Sequence, residues 1–273
     1  MDVDKYILTE ALSAILGVAV KLQSDCKDLD GAIKLQIANL TTLALLKNEA
    51  LAVQPVTCLT TSLSRLVVDK KKSQETTKSE KASCSLQKEL FVISDDFFDP
   101  SFDFDFTNMS ELKSDECMRG DEPYKRPYGW MRFALKVRDK YPDGNAWLGT
   151  GGWRSRSAPG EWPVSYHGTD LQGAAGIIQS QYTAGDRQAY GRGIYSSPDI
   201  NVADVFAKTK NFISQNNGKT YKVIMQNRIN PKKREHKNKD IWLVPIPEGT
   251  SAEKEKEIVE SSIRPYGLLL KEV

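Results

Sequence analysis

The sequence predicts an α+β fold, and three patterns along its 273 residues support this prediction. Near the amino terminus, apolar residues recur at three- and four-residue steps, as they do in amphipathic helices. Between residues 163 and 199, two short runs of β-formers next to glycines flank a helical stretch. Three later runs, 220–228, 241–245 and 268–273, have the composition of strands. We therefore expect a helical region followed by a domain of sheet and helices.

Residues 1–69 are expected to form two or three helices. The first apolar face consists of Tyr6, Ile7, Ala11, Ala14, Ile15, Val18 and Leu22. Asp30 can cap a second helix, and the residue before Pro55 ends it. Such helices form either a small bundle that covers the rest of the protein or a surface for self-association or partner binding.

Residues 70–122 have the composition of a disordered linker. The stretch from Asp69 to Ser83 is charged, rich in serine and threonine and nearly free of apolar groups, so it cannot bury enough surface to fold. Phenylalanines then alternate with acidic residues between 91 and 106, a pattern typical of disordered interaction segments. We expect either a docking motif for a partner or a solvated linker in this region.

The stretch from Pro163 to Asp199 organises the remaining domain. A strand is predicted to end at His167, because a run of β-formers stops there at a glycine. Residues 171–181 predict a helix, and a glycine-rich loop follows it. Gly193-Ile194-Tyr195 predicts a second strand, and Ser197-Pro198-Asp199 predicts the start of another helix.

The order and spacing of two short motifs make this stretch specific. His167-Gly168-Thr169 lies on the first strand, and Gly191-Arg192-Gly193-Ile194-Tyr195 leads into the second. Over roughly residues 124–273 the pattern resembles the catalytic core of the diphtheria-toxin-like ADP-ribosyltransferases, which include the poly(ADP-ribose) polymerases. The resemblance implies a split antiparallel β-sheet core with flanking helices in a catalytic domain of residues 123–273. It also implies cleavage of NAD between nicotinamide and ribose.

The resemblance further assigns roles to individual residues. The residues that would bind NAD are His167, Gly168, Thr169, Gly193, Tyr195 and Phe206. In the family, the histidine and the Ser/Thr contact ribose, the glycine backbone holds the carboxamide, and two aromatic rings enclose nicotinamide. Ala203 stands where many members have a serine that bonds to the carboxamide, so this contact is lost here.

The third catalytic position has two candidates. The polymerases of the family have a glutamate on a late strand, which binds the ribose 2′-hydroxyl and activates the acceptor. The matching position is Asp240 or, with a shift of one residue, Ile241. Asp240 keeps a shorter carboxylate, whereas Ile241 leaves no acid. The predicted catalytic set is His167, Tyr195 and Asp240, and the resemblance then implies transfer of single ADP-ribose units.

Three functions are compatible with these motifs. The first is mono-ADP-ribosyl transfer to a protein or nucleic-acid acceptor, with NAD as substrate and no metal. The second is an inactive module that binds NAD or ADP-ribose. The third is RNA 2′-phosphotransfer, against which the amino-terminal region argues, because it lacks the basic character this activity needs. Ten Lys or Arg residues and one acid between 206 and 239 form either a face for pyrophosphate or nucleic acid, or a solvated run.

Composition bears on compartment and cofactors. With 38 basic and 36 acidic residues, the net charge gives no general attraction to nucleic acid or membranes. The four cysteines, Cys26, Cys58, Cys84 and Cys117, are far apart, which disfavours a zinc site or a disulfide framework and favours an intracellular protein, cytoplasmic or nuclear. The acidic start lacks the basic region of a signal peptide, and no apolar run is long enough to span a bilayer.

Overall fold

The structure is a computed structural model of the chain. It describes residues 3–26, 32–38, 40, 90–110, 117–149, 155–168, 190–207 and 211–273, with only the backbone at 206 and 207. The predicted helix at 171–181, the charged stretch 69–83 and Thr169 lie outside the described residues.

Three complete α-helices and fourteen strands occur in these described ranges, and residues 37, 38 and 40 are also helical. The helices are α1 Lys5–Leu16, α2 Ile200–Ala207 and α3 Ala252–Glu260. The strands are β1 Ala19–Leu22, β2 Ile33–Lys34, β3 Leu90–Ile93, β4 Phe104–Asp105, β5 Met118–Arg119, β6 Glu122–Pro123, β7 Met131–Ala134, β8 Val164–His167, β9 Gly193–Ser196, β10 Phe212–Ile213, β11 Thr220–Ile229, β12 Glu235–His236, β13 Trp242–Pro245 and β14 Ile263–Glu272. Helices combine with mostly antiparallel sheet, so the predicted α+β class is confirmed.

The largest sheet has six strands, with the two long strands β11 and β14 side by side. Its order is β10–β11–β14–β7–β4, and β8 pairs with β11 on the edge that also carries β10. Both long strands are buried over most of their length, which is typical of strands covered on both faces. Pairing with β11 therefore fixes β8 against the core.

A second sheet of three strands lies next to β8. Its order is β12–β13–β9, and Trp242 of β13 pairs with Ser196 of β9 and with His236 of β12. An isolated bridge between Tyr166 and Ser197 joins β8 to the end of β9. His167 consequently lies where the two sheets meet.

The described part of the amino-terminal region begins with the predicted helix and continues with short strands and a helical stretch at residues 37, 38 and 40. The Asp4 carboxylate caps α1 by accepting from two backbone amides, and Gly17 ends the helix with φ +67. The prediction of two or three helices over residues 1–69 is wrong at β1 and β2, which pair in parallel with β3, and its later part, residues 41–69, lies outside the described residues. In β1, exposed and buried residues alternate. This alternation covers only four residues and follows the longer helical pattern of α1, so the sequence did not indicate a strand here.

The acidic-aromatic segment 90–110 is folded, which corrects the prediction of disorder across 70–122 for these residues. Phe97 and Phe106 are buried, and β4 pairs with β7. Acidic side chains cap turns at the surface, as Asp105 does for the Thr107 amide at 2.8 Å. The alternation thus belongs to an amphipathic sheet edge. A docking role for residues 91–106 stays a prediction, with Phe102, 46% exposed, as the available ring.

One hydrophobic core joins α1 to the main sheet. Leu12 of α1 belongs to the same buried cluster as Ile224 of β11 and Leu269 of β14. The Gln215 amide, in the turn before β11, donates to the Glu10 carboxylate at 2.9 Å. Within the described ranges, none of the helices combines the length and apolar character needed to cross a membrane.

Candidate functional site

His167 lies at the end of β8, and its imidazole contacts the neighbouring strand. The residue is 1% exposed, and its Nδ1 lies 2.8 Å from the carbonyl oxygen of Tyr195 in β9. Because a carbonyl oxygen only accepts, Nδ1 carries the proton and donates it. The neutral ring then has Nε2 as its acceptor nitrogen, which is the form that can accept a hydrogen bond from a sugar hydroxyl.

Contacts from three directions hold the end of β8 in place. The Tyr166 amide donates to the Ser197 carbonyl at 2.7 Å, and the Ser197 amide donates back at 2.9 Å. On the other edge of β8, His167 pairs with Met225 of β11. The Tyr166 hydroxyl donates to the Lys125 carbonyl at 2.6 Å. Burial raises the pKa of that hydroxyl well above its usual range, so it stays protonated as a donor.

Tyr195 offers its main chain to His167, whereas its ring is enclosed by protein. The residue is fully buried, and the ring packs against Ile241 and Leu243. Its hydroxyl donates to the Gly191 carbonyl at 2.7 Å and accepts from the Tyr190 amide at 3.2 Å. The glycine-rich segment before β9 is therefore folded back onto its own tyrosine. Stacking of this ring on a nicotinamide stays a prediction.

Gly193 is required by the close approach of β9 and β13. A Cβ at this position would overlap the Val244 carbonyl oxygen and lie 2.8 Å from the Leu243 Cδ1 atom. Only glycine allows two strands to come this close, because every other residue carries that atom. The second glycine of the motif thus has a structural role that is independent of any ligand.

The two candidates for the third catalytic position have different surroundings. Ile241 is fully buried and packs against Tyr195. Asp240 is half-buried just before β13, and its backbone amide donates to the Asn238 side chain at 2.8 Å. Asp240 is therefore the candidate that keeps contact with solvent and can meet a substrate.

The remaining predicted site residues have mixed outcomes. Ala203 is fully buried in the main core, so no hydroxyl occurs at the position where the family has serine. Phe206 lies on α2, but its side chain and all of Thr169 lie outside the described residues. The predicted residues that the structure brings together near the junction of β8 and β9 are His167, Gly168, Gly193 and Tyr195.

Asn238 and Tyr190 belong to the same region, although the motifs did not single them out. The Asn238 Nδ2 donates to the Tyr190 hydroxyl at 3.1 Å, and the Tyr190 and Tyr195 ring centroids are 6.5 Å apart. The pair joins the loop before β9 to the loop before β13. An asparagine in a polar stretch indicates a turn, but no pattern indicates which tyrosine its side chain contacts.

Most cations in the described part of the basic run, residues 211–239, are paired with carboxylates. Five of its cations make ion pairs with carboxylates: Lys219 with Glu272, Lys222 with Asp204, Arg228 with Glu161, Arg234 with Glu122, and Lys237 with Glu235. Lys232 and Lys239 are exposed. This pairing reduces the positive charge that the run could offer to a nucleic acid.

Neither metal ligation nor relatedness identifies a function. In the part of the chain that the structure describes, no group of three or more His, Cys, Asp or Glu residues is arranged to hold a metal ion. No protein-family model matches the chain, and no curated protein matches it significantly. The junction of β8, β9 and β13 is therefore the basis for assigning a function.

Proposed function

We propose that the protein is an NAD-dependent mono-ADP-ribosyltransferase of the poly(ADP-ribose) polymerase-like type. The observation that carries this proposal is the hydrogen bond from His167 Nδ1 to the Tyr195 carbonyl, which joins the two sequence motifs. The meeting of two largely antiparallel sheets at this contact supports it, because the family resemblance implies a split sheet.

The reaction breaks the bond between ribose C1′ and the nicotinamide nitrogen, and the bonding electrons leave with nicotinamide. Positive charge develops on the ribose, so holding sugar and nicotinamide in one orientation lowers the barrier. The His167 Nε2 would accept a hydrogen bond from a ribose hydroxyl, and the Gly168 backbone would hold the carboxamide. The acceptor then forms the new bond to C1′ and loses a proton, which Asp240 would accept as general base.

The position of Asp240 favours the transfer of single units. Its side chain is one methylene shorter than the glutamate of the polymerases, and the residue precedes β13. Polymer growth requires a base within hydrogen-bond reach of a hydroxyl on bound ADP-ribose. A carboxylate with less reach is better suited to one transfer than to repeated extension.

A second candidate function is a module that binds NAD or ADP-ribose without turnover. Ile241 favours it, because an apolar side chain packs against Tyr195 at the alternative third position. Ala203 also favours it, because a serine hydroxyl that many active members use is missing.

Labelled NAD separates the two functions. The protein would be incubated with NAD labelled on the adenylate phosphate, and label would be sought on the protein itself, on added protein and on RNA. We expect His167→Ala to lower labelling by about 100-fold or more, because the ribose loses its orientation. His236→Ala is a matched control. His167 and His236 are the two histidines of the chain, and His236, in β12, packs on Trp242 of β13. It should label as wild type does.

Other outcomes would change the assignment. A rise in melting temperature with unlabelled NAD, but no transfer of label, would support the binding module and overturn the transferase. Absence of both effects would overturn both functions. A ladder of products, in place of one discrete shift, would overturn single-unit transfer.

A further inference from the structure

A chain of hydrogen bonds connects the three residues predicted to be catalytic. His167 Nδ1 donates to the Tyr195 carbonyl, and the Tyr195 hydroxyl accepts from the Tyr190 amide. The Tyr190 hydroxyl accepts from Asn238 Nδ2 at 3.1 Å, and Asn238 Oδ1 accepts from the Asp240 amide at 2.8 Å. The path therefore runs from β8 through β9 to the start of β13.

Asn238 is the link that fixes Asp240. Its Oδ1 closes a turn onto the amide two residues further on. The backbone amides of Lys237 and Asn238 both donate to the Ile241 carbonyl, at 3.0 and 3.4 Å. Asp240 itself precedes the paired residues of β13. The position of its backbone is therefore set by these turn contacts and not by pairing between strands.

The Asn238 side chain uses both of its polar atoms, one for each contact. Asn238 Oδ1 accepts from the Asp240 amide and so closes the turn, and Asn238 Nδ2 donates to the Tyr190 hydroxyl. Alanine would lose both contacts, whereas aspartate would keep the first and could replace the second by accepting from the Tyr190 hydroxyl. Because Nδ2 attaches the turn to Tyr190, it also ties the turn to the loop that packs on Tyr195.

We propose that Asn238 is a positioning residue for ADP-ribosyl transfer and that, with Tyr190, it holds Asp240 at a fixed place relative to His167. This inference rests on the proposed function. NAD would still bind through β8 and β9, since the pairing of β8 with β11 and β9 does not involve Asn238. Loss of Asn238 should therefore slow turnover and leave NAD binding nearly unchanged.

The turn before β11 provides a matched control. Asn217 Oδ1 accepts from the Lys219 amide at 3.0 Å, and Asn217 Nδ2 donates to the Tyr221 hydroxyl at 2.9 Å. These are the same two kinds of contact, made in the β10–β11 turn. The amide lies two residues further on in both turns, whereas the tyrosine is 4 residues from Asn217 and 48 from Asn238. Asn217→Ala therefore removes the same kinds of hydrogen bond without touching the turn that carries Asp240.

Steady-state transfer from NAD would be measured for wild type, Asn238→Ala, Tyr190→Phe, the double variant, Asp240→Ala and Asn217→Ala. We expect Asn238→Ala and Tyr190→Phe to lower kcat by about tenfold to a hundredfold, because a base displaced by about 1 Å reacts poorly, while KM for NAD changes less than about twofold. The double variant should be as slow as Asn238→Ala alone, because both changes remove one shared bond. Asp240→Ala should abolish transfer, and Asn217→Ala should keep the wild-type kcat.

Several results would overturn the inference. If Asn238→Ala and Tyr190→Phe keep the wild-type kcat in an active enzyme, Asn238 has no positioning role, and the proposed function still stands. An equal loss in Asn217→Ala would have the same meaning. Full activity in Asp240→Ala would overturn both the inference and the role of Asp240 as general base, while transfer of ADP-ribose by the protein would still stand. If the wild type transfers no ADP-ribose, the proposed function fails and the inference fails with it. Should the alanine variant not fold, Tyr190→Phe, which keeps the Asn238 turn and removes the bond between Asn238 and Tyr190, carries the test alone.

Discussion

Gly193 has the strictest requirement of any residue in the glycine-rich motif. The Val244 carbonyl and the Leu243 side chain leave no room for a Cβ there. Gly191, two residues earlier, has φ +96, but a Cβ at that position would meet nothing within 4 Å. Gly193, with φ +155, is thus required both by the approach of two strands and by its backbone conformation, whereas Gly191 is required by its backbone conformation alone.

Gly193→Ala should lower the free energy of unfolding by about 2–4 kcal/mol, because β9 must move away from β13. Gly191→Ala should cost about 1–2 kcal/mol, since only the backbone conformation is strained. Urea denaturation of the two variants and the wild type measures both values. Equal losses in the two variants would contradict the steric explanation.

The sequence indicated where His167 lies but not what it contacts. The end of β8 follows from local information, a run of β-formers that stops at a glycine. The Tyr195 carbonyl is 28 residues away, and the contact depends on two strands meeting, which no local period encodes. Asn238 and Tyr190 were missed for the same reason, because 48 residues separate them.

At the scale of secondary-structure elements, segment 90–110 shows that a sequence rich in acidic residues can form the edge of a sheet. Asp103 Oδ1 accepts from the Ala134 amide at 2.7 Å and so fastens the segment to β7. Burial raises the pKa of Asp103 above its ordinary 3.8, against the lowering effect of that bond. Asp96 is exposed and bonds to Lys136, which lowers its pKa to about 2. Composition predicted disorder here because it cannot show that a backbone amide of β7 binds one of these carboxylates.

Asp103→Asn should make stability less dependent on pH. Since the folded-state pKa is raised, the folded protein binds this proton more tightly than the unfolded chain, so stability is lost as pH rises from 3.8 through the raised pKa. Asparagine keeps an acceptor for the Ala134 amide and does not ionise. The melting temperature of the variant, relative to wild type, should therefore rise with pH from about pH 4 and then level off.

Asp96→Asn is the contrasting control, because its folded-state pKa is lowered. The contribution of Asp96 to stability is present above pH 3.8 and is lost as pH falls towards 2, so its variant should be less stable than wild type only at the higher pH. A difference between Asp103→Asn and wild type that stays constant over the whole range would contradict the role of Asp103.

At the scale of the whole molecule, one core unites segments that are far apart in sequence. The Gln215 amide contacts the Glu10 carboxylate across 205 residues, and α1 shares a buried cluster with β11 and β14. The helix and the late strands were each predictable, because their periods are local. Their packing, and the parallel pairing of β1 with β3, depend on shapes that form only when distant segments meet.

Leu12→Ala should destabilise the whole domain by about 2–5 kcal/mol, because it leaves a cavity in the shared core. Leu12 is 0% exposed, whereas Tyr6 on the same helix is 43% exposed. Tyr6→Ala should therefore change stability by less than about 0.5 kcal/mol. Tryptophan fluorescence and far-UV circular dichroism should report one shared transition, shifted only in Leu12→Ala. Loss of helical signal before the fluorescence transition would mean that α1 folds separately.

The order of strands in the main sheet has a consequence for the chain while it is being made. A ribosome releases β7 and β11 before β14, the strand that joins them, so each waits with one unpaired edge. From Ile229, the end of β11, to Glu272, the end of β14, synthesis at about 5–20 residues per second takes about 2–9 seconds. During that interval β8 and β10 can protect only one edge of β11. A nascent chain stalled between these strands is therefore more open to aggregation, and to capture by chaperones, than one in which β14 has emerged.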